Sequence, residues 1–202
     1  MEKVIQKINE DMDKVRVLFV KEKSLFSESK FISLKEGEYV LNNGNTIVRE
    51  SAFKKLGTGN AVCIFAVTED KNILLVVQSR IALPDEKRVN VELPAGYVEE
   101  GESVLEAGKR ELLEETGYSS DEIFVVDSYY PSLGFSGERI TLLLALRCVQ
   151  VSPQKLDKDE FLYYELVSLE EFETLLNEGY LKDANARIGY YRYLEYLMKE
   201  GY

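Results

Sequence analysis

The feature that most limits the possible folds is a pair of apolar segments on either side of a short polar turn. Residues 61–67 and 73–77 consist almost entirely of apolar side chains, and the polar residues 69–72 separate them. A strand with one face in water alternates apolar and polar side chains, and neither segment does so. We therefore expect two strands of a sheet that is covered on both faces.

The remainder of the main part of the chain supplies both helices and strands. Ser103 and Glu106 have the spacing of a capping box, and Gly117 stands where a glycine commonly ends a helix. These signals predict a helix over 103–116. Further strands are predicted at 123–126, 140–149 and 161–166, and further helices at 169–177 and 184–199. Because strand and helix do not alternate regularly, the fold class is α+β.

The first 55 residues differ in character from the rest. We predict a polar, weakly amphipathic helix over 1–14, followed by a small antiparallel β annex over about 15–55. Within it, strands at 31–35 and 38–41 flank Gly37, and an Asn-Gly turn at 42–45 leads into a strand at 46–49. We therefore divide the chain into a first domain, 1–55, and a main domain, 56–202.

Charge and composition exclude several classes of partner. The 202 residues include 36 acidic and 25 basic side chains and no His, so the net charge is −11. Such a surface repels nucleic acid, although local cations can still bind a small phosphate compound. The apolar segments are too short for a membrane helix, no signal peptide is visible, and Cys63 and Cys148 are expected to be free buried thiols. These features predict a cytoplasmic protein.

One face of the predicted helix at 103–116 is strongly acidic. Helical residues are spaced by ~100°, so Glu111, Glu114 and Glu115 share a face and repel one another. Arg110 precedes Glu114 by four residues and is placed to pair with it. The remaining charge suits a hard divalent cation such as Mg²⁺, which prefers oxygen ligands. The carboxylate spacing alone also allows a solvated helix with no ligand.

The wider spacing around this helix favours the metal. Gly96 is followed after five residues by Glu102, and after seven more by Arg-Glu-Leu-Leu-Glu-Glu-Thr-Gly at 110–117. This spacing resembles the Nudix box, whose seven fixed identities have a chance probability on the order of 10⁻⁹ per starting position. Tyr118 departs from the aliphatic residue that usually follows the box, and we expect it to pack equivalently.

The resemblance extends over roughly residues 30–195 and is strongest to the ADP-ribose pyrophosphatase branch of Nudix hydrolases. Residues 92–96, Glu-Leu-Pro-Ala-Gly, lead into the box as they do in that branch. Residues 129–138 resemble its substrate loop, and residues 179–184 resemble the start of its last helix. The resemblance implies the Nudix fold, a mixed sheet sandwiched by helices.

The resemblance also implies a metal site. In similar enzymes the metal ions are held by the backbone carbonyl at the Ala95 position, by carboxylates at the Glu111 and Glu115 positions, and by a glutamate of a later loop, here Glu160. The implied cofactor is Mg²⁺, with Mn²⁺ as an alternative. A metal-activated water would attack one phosphorus of ADP-ribose and give AMP and ribose 5-phosphate.

The remaining catalytic residues are less closely defined. Glu114 is a catalytic residue that the box implies. The candidates for the general base are Glu160, then Glu138, then Asp159, because Lys158 stands where the branch often has an additional glutamate. Glu138 is also a candidate for substrate binding, through hydrogen bonds to ribose hydroxyls.

Arg80 and a group of tyrosines each allow two interpretations. Arg80 lies at the end of an apolar strand, where the resemblance favours phosphate binding and a strand-end salt bridge is the alternative. The four tyrosines are interpreted as packing of the last helix rather than as a base-stacking platform: Tyr190, Tyr191, Tyr193 and Tyr196.

The sequence therefore predicts a Mg²⁺-dependent pyrophosphatase acting on ADP-ribose or a related nucleoside-diphosphate sugar. The alternatives are a Nudix hydrolase of another nucleotide sugar and a Nudix-fold sensor that binds a nucleotide without cleaving it. Similar enzymes are homodimers in which the N-terminal region of one subunit reaches the site of the other, and we expect the same arrangement here. No nucleic-acid or membrane partner is expected.

Overall fold

The computed structural model of the chain describes residues 17–26, 28–80, 82–83, 89–158 and 160–201. The helix predicted over 1–14 lies outside these residues. The chain forms two compact units, one from the chain up to Lys55 together with Ser132–Glu138, and the other from Leu56–Pro131 and Arg139–Tyr202. Among the described residues, no helix is long and apolar enough to span a bilayer.

The described residues of the N-terminal unit include a three-stranded antiparallel sheet. Its strands are β1 (Val17–Phe26), β2 (Ile32–Leu41) and β3 (Thr46–Lys54), in the order β1-β2-β3. The turn between β2 and β3 is closed by hydrogen bonds from the Leu41 N–H to the Asn45 carbonyl and from the Gly44 N–H to the Leu41 carbonyl, each 2.9 Å. Gly44 adopts a φ of 85°, which a side chain disfavours, so the predicted Asn-Gly hairpin is confirmed.

Two expectations for this unit differ from the structure. The predicted break at Gly37 is wrong, because β2 continues through it and pairs Gly37 with Glu22 of β1 and Arg49 of β3. A Cβ at Gly37 would lie 2.6–2.8 Å from ring atoms of Tyr39, so that ring fills the space of the missing side chain. The strand β1 was not itself predicted, and it widens the expected hairpin into a sheet.

The larger unit contains, in the part of it that the structure describes, a mixed sheet and three helices. Its strands are β4 (Ala61–Thr68), β5 (Ile73–Ser79), β6 (Val89–Glu92), β7 (Ala95–Tyr97), β8 (Tyr118–Ser119), β9 (Glu122–Tyr129), β10 (Ile140–Gln150) and β11 (Leu162–Val167). Its helices are α1 (Val104–Thr116), α2 (Leu169–Asn177) and α3 (Ala184–Glu200). The strand order is β11-β5-β4-β10-β8, with β6 beside β5, β7 beside β4, and β9 beside β10. Only the β4–β10 pair is parallel among the described pairs.

The side chains of β4 alternate between two apolar clusters. One cluster contains Cys63, Phe65 and Val67 together with Phe172 of α2 and Tyr193 of α3. The other contains Val62, Ile64 and Ala66 together with Ala107 and Leu112 of α1. Helices therefore cover both faces of the sheet, which confirms both the covered strands and the sandwich expected from the sequence.

The predicted strands and helices of this unit are present, with ends shifted by a few residues. Three strands, β6, β7 and β8, were not predicted; they have four, three and two residues, too few to show a periodicity. The two cysteines are free and buried, as expected.

The tyrosines of α3 mostly pack against the unit, as predicted. Tyr193 stacks on Phe65 with ring centroids 5.0 Å apart, and the Tyr190 ring stacks on Phe172 at 5.8 Å. Tyr191 differs, because it is 62% exposed. The expectation for Tyr118 also agrees with the structure, since it is buried.

Candidate functional site

The helix α1 is fixed at both ends. At its start the Ser103 hydroxyl accepts the Glu106 N–H, and the Glu106 carboxylate accepts the Ser103 N–H at 2.8 Å. At its end Gly117 adopts a φ of 76° and donates its N–H to the Leu113 carbonyl at 2.8 Å. With both ends fixed and Leu112 in the core, the helix turns Glu111 and Glu115 toward β7.

Glu115 is a buried carboxylate, only 3% exposed. One of its oxygens accepts the N–H of Ala95 at 3.0 Å. Burial raises the pKa of Glu115 to about 8 in spite of this hydrogen bond, and the nearby charges of Glu111 and Glu160 act in the same direction. A buried carboxylate with acidic neighbours has a strong electrostatic preference for a cation.

Glu111 lies beside it and is 8% exposed. Burial raises the pKa of Glu111, while Arg110 opposes the shift. A Cβ at Gly96 would overlap the Glu111 carboxylate, so the strand β7 approaches that group more closely than any other residue type would permit. The Glu111 carboxylate thus occupies the position that a side chain at Gly96 would need, against the backbone of β7.

Arg110 links the acidic residues of the box. Its guanidinium donates to both oxygens of Glu102 at 2.9 and 3.0 Å, to Glu111 at 2.7 Å and to Glu114 at 3.2 Å, as well as to the Tyr97 carbonyl at 2.9 Å. The expected pair with Glu114 is present, and the bonds to Glu102 and Tyr97 explain why the box requires an arginine with several donors. Glu114 remains 40% exposed, unlike its two neighbours.

Glu160 lies in the turn that precedes β11 and is exposed. Its carboxylate accepts the Asp157 N–H at 3.1 Å, and its own N–H donates to the Asp157 carbonyl at 3.1 Å. The charge of Glu160 contributes to the raised pKa of both Glu111 and Glu115, but the three carboxylates do not form a metal-holding group among the described residues. Asp159 lies outside the described residues.

Arg80 makes the salt bridge that was the alternative interpretation for it. Its Nε donates to one oxygen of Glu92 at 2.7 Å and its Nη2 donates to the other at 2.6 Å. Glu92 was not assigned a role from the sequence, because the four residues of β6 are too few to show a strand pattern. Phosphate binding by Arg80 stays a prediction.

Glu138 belongs to the N-terminal unit, where its side chain pairs with Lys54 and is 14% exposed. The same unit has a cavity of about 430 Å³ between its sheet and the loop 133–137. The larger side chains that line it are Tyr39, Ile47, Arg49, Phe53 and Phe135. The sequence analysis missed these sheet residues, because alternating strand residues carry no local sign of a shared cavity.

The oxygen donors at α1 fit a divalent metal ion. Within the described ranges, no three Asp, Glu, Cys or His side chains form a group that would hold a metal by themselves. A cation there would need a carbonyl oxygen, such as that of Ala95, and oxygens from a ligand or water. Mg²⁺ is commonly bound in this manner, by few carboxylates together with substrate phosphates.

The comparisons with known proteins agree with the box. A model of the NUDIX domain matches residues 57–188. The ADP-ribose pyrophosphatase of Bacillus subtilis is 35% identical over 166 residues, which cover 82% of this chain and 85% of that protein. The methanol dehydrogenase activator of Bacillus methanolicus is 32% identical over 84% of this chain and 88% of its own length.

Two further matches extend the comparison. The ADP-ribose pyrophosphatase of Saccharomyces cerevisiae is 29% identical over 88% of this chain and 82% of its own length. A crystal structure of an ADP compounds hydrolase superposes with a TM-score of 0.77 and covers 92% of this chain and 96% of that one, at 19% identity. At that identity the structural likeness concerns the fold.

Proposed function

The chain belongs to the Nudix family, and from that premise we propose that it hydrolyses the pyrophosphate bond of ADP-ribose or a related nucleoside-diphosphate sugar. The products would be AMP and ribose 5-phosphate. Two relatives covering more than four fifths of this chain, from Bacillus subtilis and Saccharomyces cerevisiae, are ADP-ribose pyrophosphatases. Their similarity includes most of the main domain as well as part of the N-terminal region.

The observation that carries the proposal is the pair of buried carboxylates on α1. Glu111 and Glu115 are 8% and 3% exposed, and both have a raised pKa because of burial. Burying two acids side by side destabilises a folded chain unless a cation or protons compensate them. A divalent ion supplies the compensation and also attracts a diphosphate.

We propose Mg²⁺ as that ion, with Glu111, Glu115, Glu160 and the Ala95 carbonyl as the protein groups that would hold it. When bound, the ion would neutralise the pyrophosphate and lower the pKa of an attacking water. The Ala95 N–H fixes the orientation of Glu115 at 3.0 Å, and Arg110 fixes that of Glu111 at 2.7 Å. Both ligands are thus preorganised before substrate arrives.

The catalytic roles that we propose for the other acids follow from their exposure. Glu160 is exposed and one of its oxygens accepts the Asp157 N–H, and we assign its carboxylate to accepting a proton from water. Glu114 is partly exposed and is anchored by Arg110, and we assign it to orienting water or metal at the edge of the site. Arg80 is assigned to binding a phosphate oxygen.

We further propose that the cavity of the N-terminal unit is by itself able to bind a nucleoside. Its aromatic side chains, Tyr39 and Phe53 of the sheet and Phe135 of the loop, suit stacking on a base, and Arg49 and Glu50 supply polar contacts. Glu138 follows this loop directly and is assigned to ribose hydroxyls. The volume of about 430 Å³ is within the range of small-molecule sites.

The N-terminal domain, 1–55, is proposed as the dimerisation domain of a homodimer, and 56–202 as the hydrolase domain. Three apolar side chains that the strand register places on one face of the N-terminal sheet are 39–49% exposed, which is unusual for a face in permanent contact with water: Ile32, Leu34 and Val48. The free thiols of Cys63 and Cys148 suit a reducing compartment, and we propose a cytoplasmic location.

The experiment that tests the function is a substrate panel with purified protein. ADP-ribose, other nucleotide sugars and dinucleotides are incubated with Mg²⁺, with Mn²⁺ or with EDTA, and the products are separated by ion-exchange chromatography. We expect AMP from ADP-ribose with Mg²⁺ and none with EDTA. Tight binding of ADP-ribose without any product under every metal condition would identify a sensor instead, and preferential cleavage of another nucleotide sugar would replace the substrate.

A further inference from the structure

Glu92 is a buried acid on the short strand β6. Its residue is 6% exposed, whereas Val89 at the start of the same strand is 39% exposed. Its two oxygens accept the Nε–H and an Nη2–H of Arg80 at 2.7 and 2.6 Å. A carboxylate with so little access to water requires such a partner, because desolvation of an unpaired charge is costly.

The two members of this pair differ greatly in exposure. The side chain of Glu92 is 8% exposed and that of Arg80 is 47% exposed. The side-on pair uses one edge of the planar guanidinium, and the Nη1 group lies on the opposite edge. The Glu92 carboxylate is therefore shielded from solvent, whereas the Arg80 guanidinium reaches the surface. We refer to the guanidinium edge that carries Nη1 as its outer edge.

The pair is also close enough to α1 for Arg80 to influence the pKa of Glu115. Glu92 precedes Ala95 by three residues, and the Ala95 N–H binds Glu115. The positive charge of Arg80 opposes the raised pKa of Glu115, and the charge of Glu115 in turn raises the pKa of Arg80. Arg80 is therefore within electrostatic range of one of the proposed metal ligands.

We infer that Glu92 is a positioning residue, which fixes the Arg80 guanidinium so that its outer edge donates to a phosphate oxygen of the substrate. The inference rests on the proposed function and assigns to Glu92 a role in substrate affinity. An arginine without a partner has many rotamers, and ordering it during binding weakens affinity. The buried Glu92 carboxylate holds the Arg80 guanidinium in one orientation before the substrate binds. Because the carboxylate is buried, water does not compete for the two hydrogen bonds.

The test compares Glu92→Gln, Arg80→Ala and the double variant by steady-state kinetics with ADP-ribose and Mg²⁺. For Glu92→Gln we expect KM to rise about tenfold while kcat changes less than about threefold, since a ground-state phosphate contact is loosened. Arg80→Ala should raise KM by about tenfold to a hundredfold. The double variant should match Arg80→Ala within about twofold, because Glu92 acts only through Arg80.

The matched control is Asp127→Asn. Asp127 pairs with the Arg192 guanidinium, at 2.8 Å to Nε and 2.7 Å to Nη2, in the same unit of the chain. This variant should leave both constants unchanged. A KM for Glu92→Gln equal to that of the unaltered chain, or a double variant whose KM is the product of the two single effects, overturns the inference.

Two additions keep the result decisive. If Glu92→Gln is too unstable to purify, Arg80→Lys takes its place, because lysine keeps the charge and cannot form the side-on pair; an unchanged KM there also overturns the inference. Binding of inorganic pyrophosphate with Mg²⁺ is measured by calorimetry for each variant. If the unaltered chain does not cleave ADP-ribose, the proposed function fails, while equal weakening of pyrophosphate binding by Glu92→Gln and Arg80→Ala still supports the inference.

Discussion

The helices α1 and α2 start in the same way and differ in what they bury. Each begins with a capping box, Ser103 with Glu106 in α1 and Ser168 with Glu171 in α2, and the two pairs of hydrogen bonds are 2.8 and 3.3 Å in α1 and 2.7 and 3.2 Å in α2. The buried residues of α2 are Phe172 and Leu176. Those of α1 include the carboxylates Glu111 and Glu115.

This difference between the buried residues of the two helices distinguishes residues that stabilise the fold from residues that have a binding role. The capping box and an apolar face suffice to dock α2 against the sheet. In α1 the same devices also carry two acids into a position where burial raises their pKa, which destabilises the metal-free fold. Acids held in such an environment indicate a binding role, because an apolar residue would stabilise the helix more.

The largest expected effect comes from Glu115→Gln. The amide keeps the shape of the side chain and removes the proposed metal ligand, so kcat for ADP-ribose should fall at least about a hundredfold. The melting temperature of the metal-free protein should stay equal or rise, because burial disfavours the charged form of this carboxyl and the amide is always neutral. Glu170→Gln, an exposed acid in the first turn of α2, is the control and should alter neither quantity. Unchanged turnover in Glu115→Gln would falsify its role as a ligand.

A second pair of variants concerns two glycines that lie very close to a neighbouring side chain. It tests whether that closeness serves function at one glycine and packing at the other. A Cβ at Gly96 would overlap the Glu111 carboxylate, whereas a Cβ at Gly108 would overlap the side chain of Leu143 in the core. We expect Gly96→Ala to lower kcat by roughly tenfold or more with a small change in stability. Gly108→Ala should lower the free energy of unfolding by about 1–3 kcal/mol and leave kcat unchanged. Both variants are measured by urea unfolding and by kinetics. If Gly96→Ala, like Gly108→Ala, lowers only the free energy of unfolding and not kcat, the close approach at Gly96 has no functional role.

Arg110→Gln tests how much the charge of Arg110 stabilises the fold against repulsion among the acidic side chains of α1. We expect the free energy of unfolding to fall by about 1–2 kcal/mol at pH 7, because Glu102 and Glu111 lose their charged partner. The Arg110 hydrogen bonds lower the pKa of Glu102 below its ordinary 4.5, so this pair stabilises the fold above that pH and the contribution is lost as the pH falls through the lowered pKa. The gap between variant and parent should therefore narrow from pH 7 to pH 4 in urea titrations. A gap that is constant with pH argues for lost packing instead.

Much of α1 could be predicted because its signals are local. The capping box, the terminal Gly117 and the spacing of the acids are all visible in the sequence, and the structure agrees with each of them. The hydrogen-bond partners of the acids could not be predicted from such local signals. That the Ala95 N–H binds Glu115, and that Glu92 binds Arg80, depends on the pairing of short strands, which carry no periodicity.

The N-terminal sheet shows the same limit. Its Asn-Gly turn is local and was predicted, whereas the continuity of β2 through Gly37 depends on pairing with β1 and β3 and on the ring of Tyr39. The cavity beside loop 133–137 combines residues of β2 and β3 with a loop about 90 residues further along the chain. Contacts of that separation leave no sign in a window of neighbouring residues.

The smallest expected effects concern the two capping boxes. Because the boxes have the same geometry, Ser103→Ala and Ser168→Ala should each lower the free energy of unfolding by about 1 kcal/mol, as measured by urea denaturation at pH 7. Neither should alter kcat by more than about twofold, since the helix starts lie more than a turn from Glu111. Thr174→Ala, a side chain within α2 whose hydroxyl donates to the Glu170 carbonyl of the preceding turn, is the control for loss of a helix hydroxyl. A much larger fall in the free energy of unfolding for Ser103→Ala than for Ser168→Ala would mean that the start of α1 depends on the acidic site. The two helices would then differ at their N-caps as well as in their buried residues.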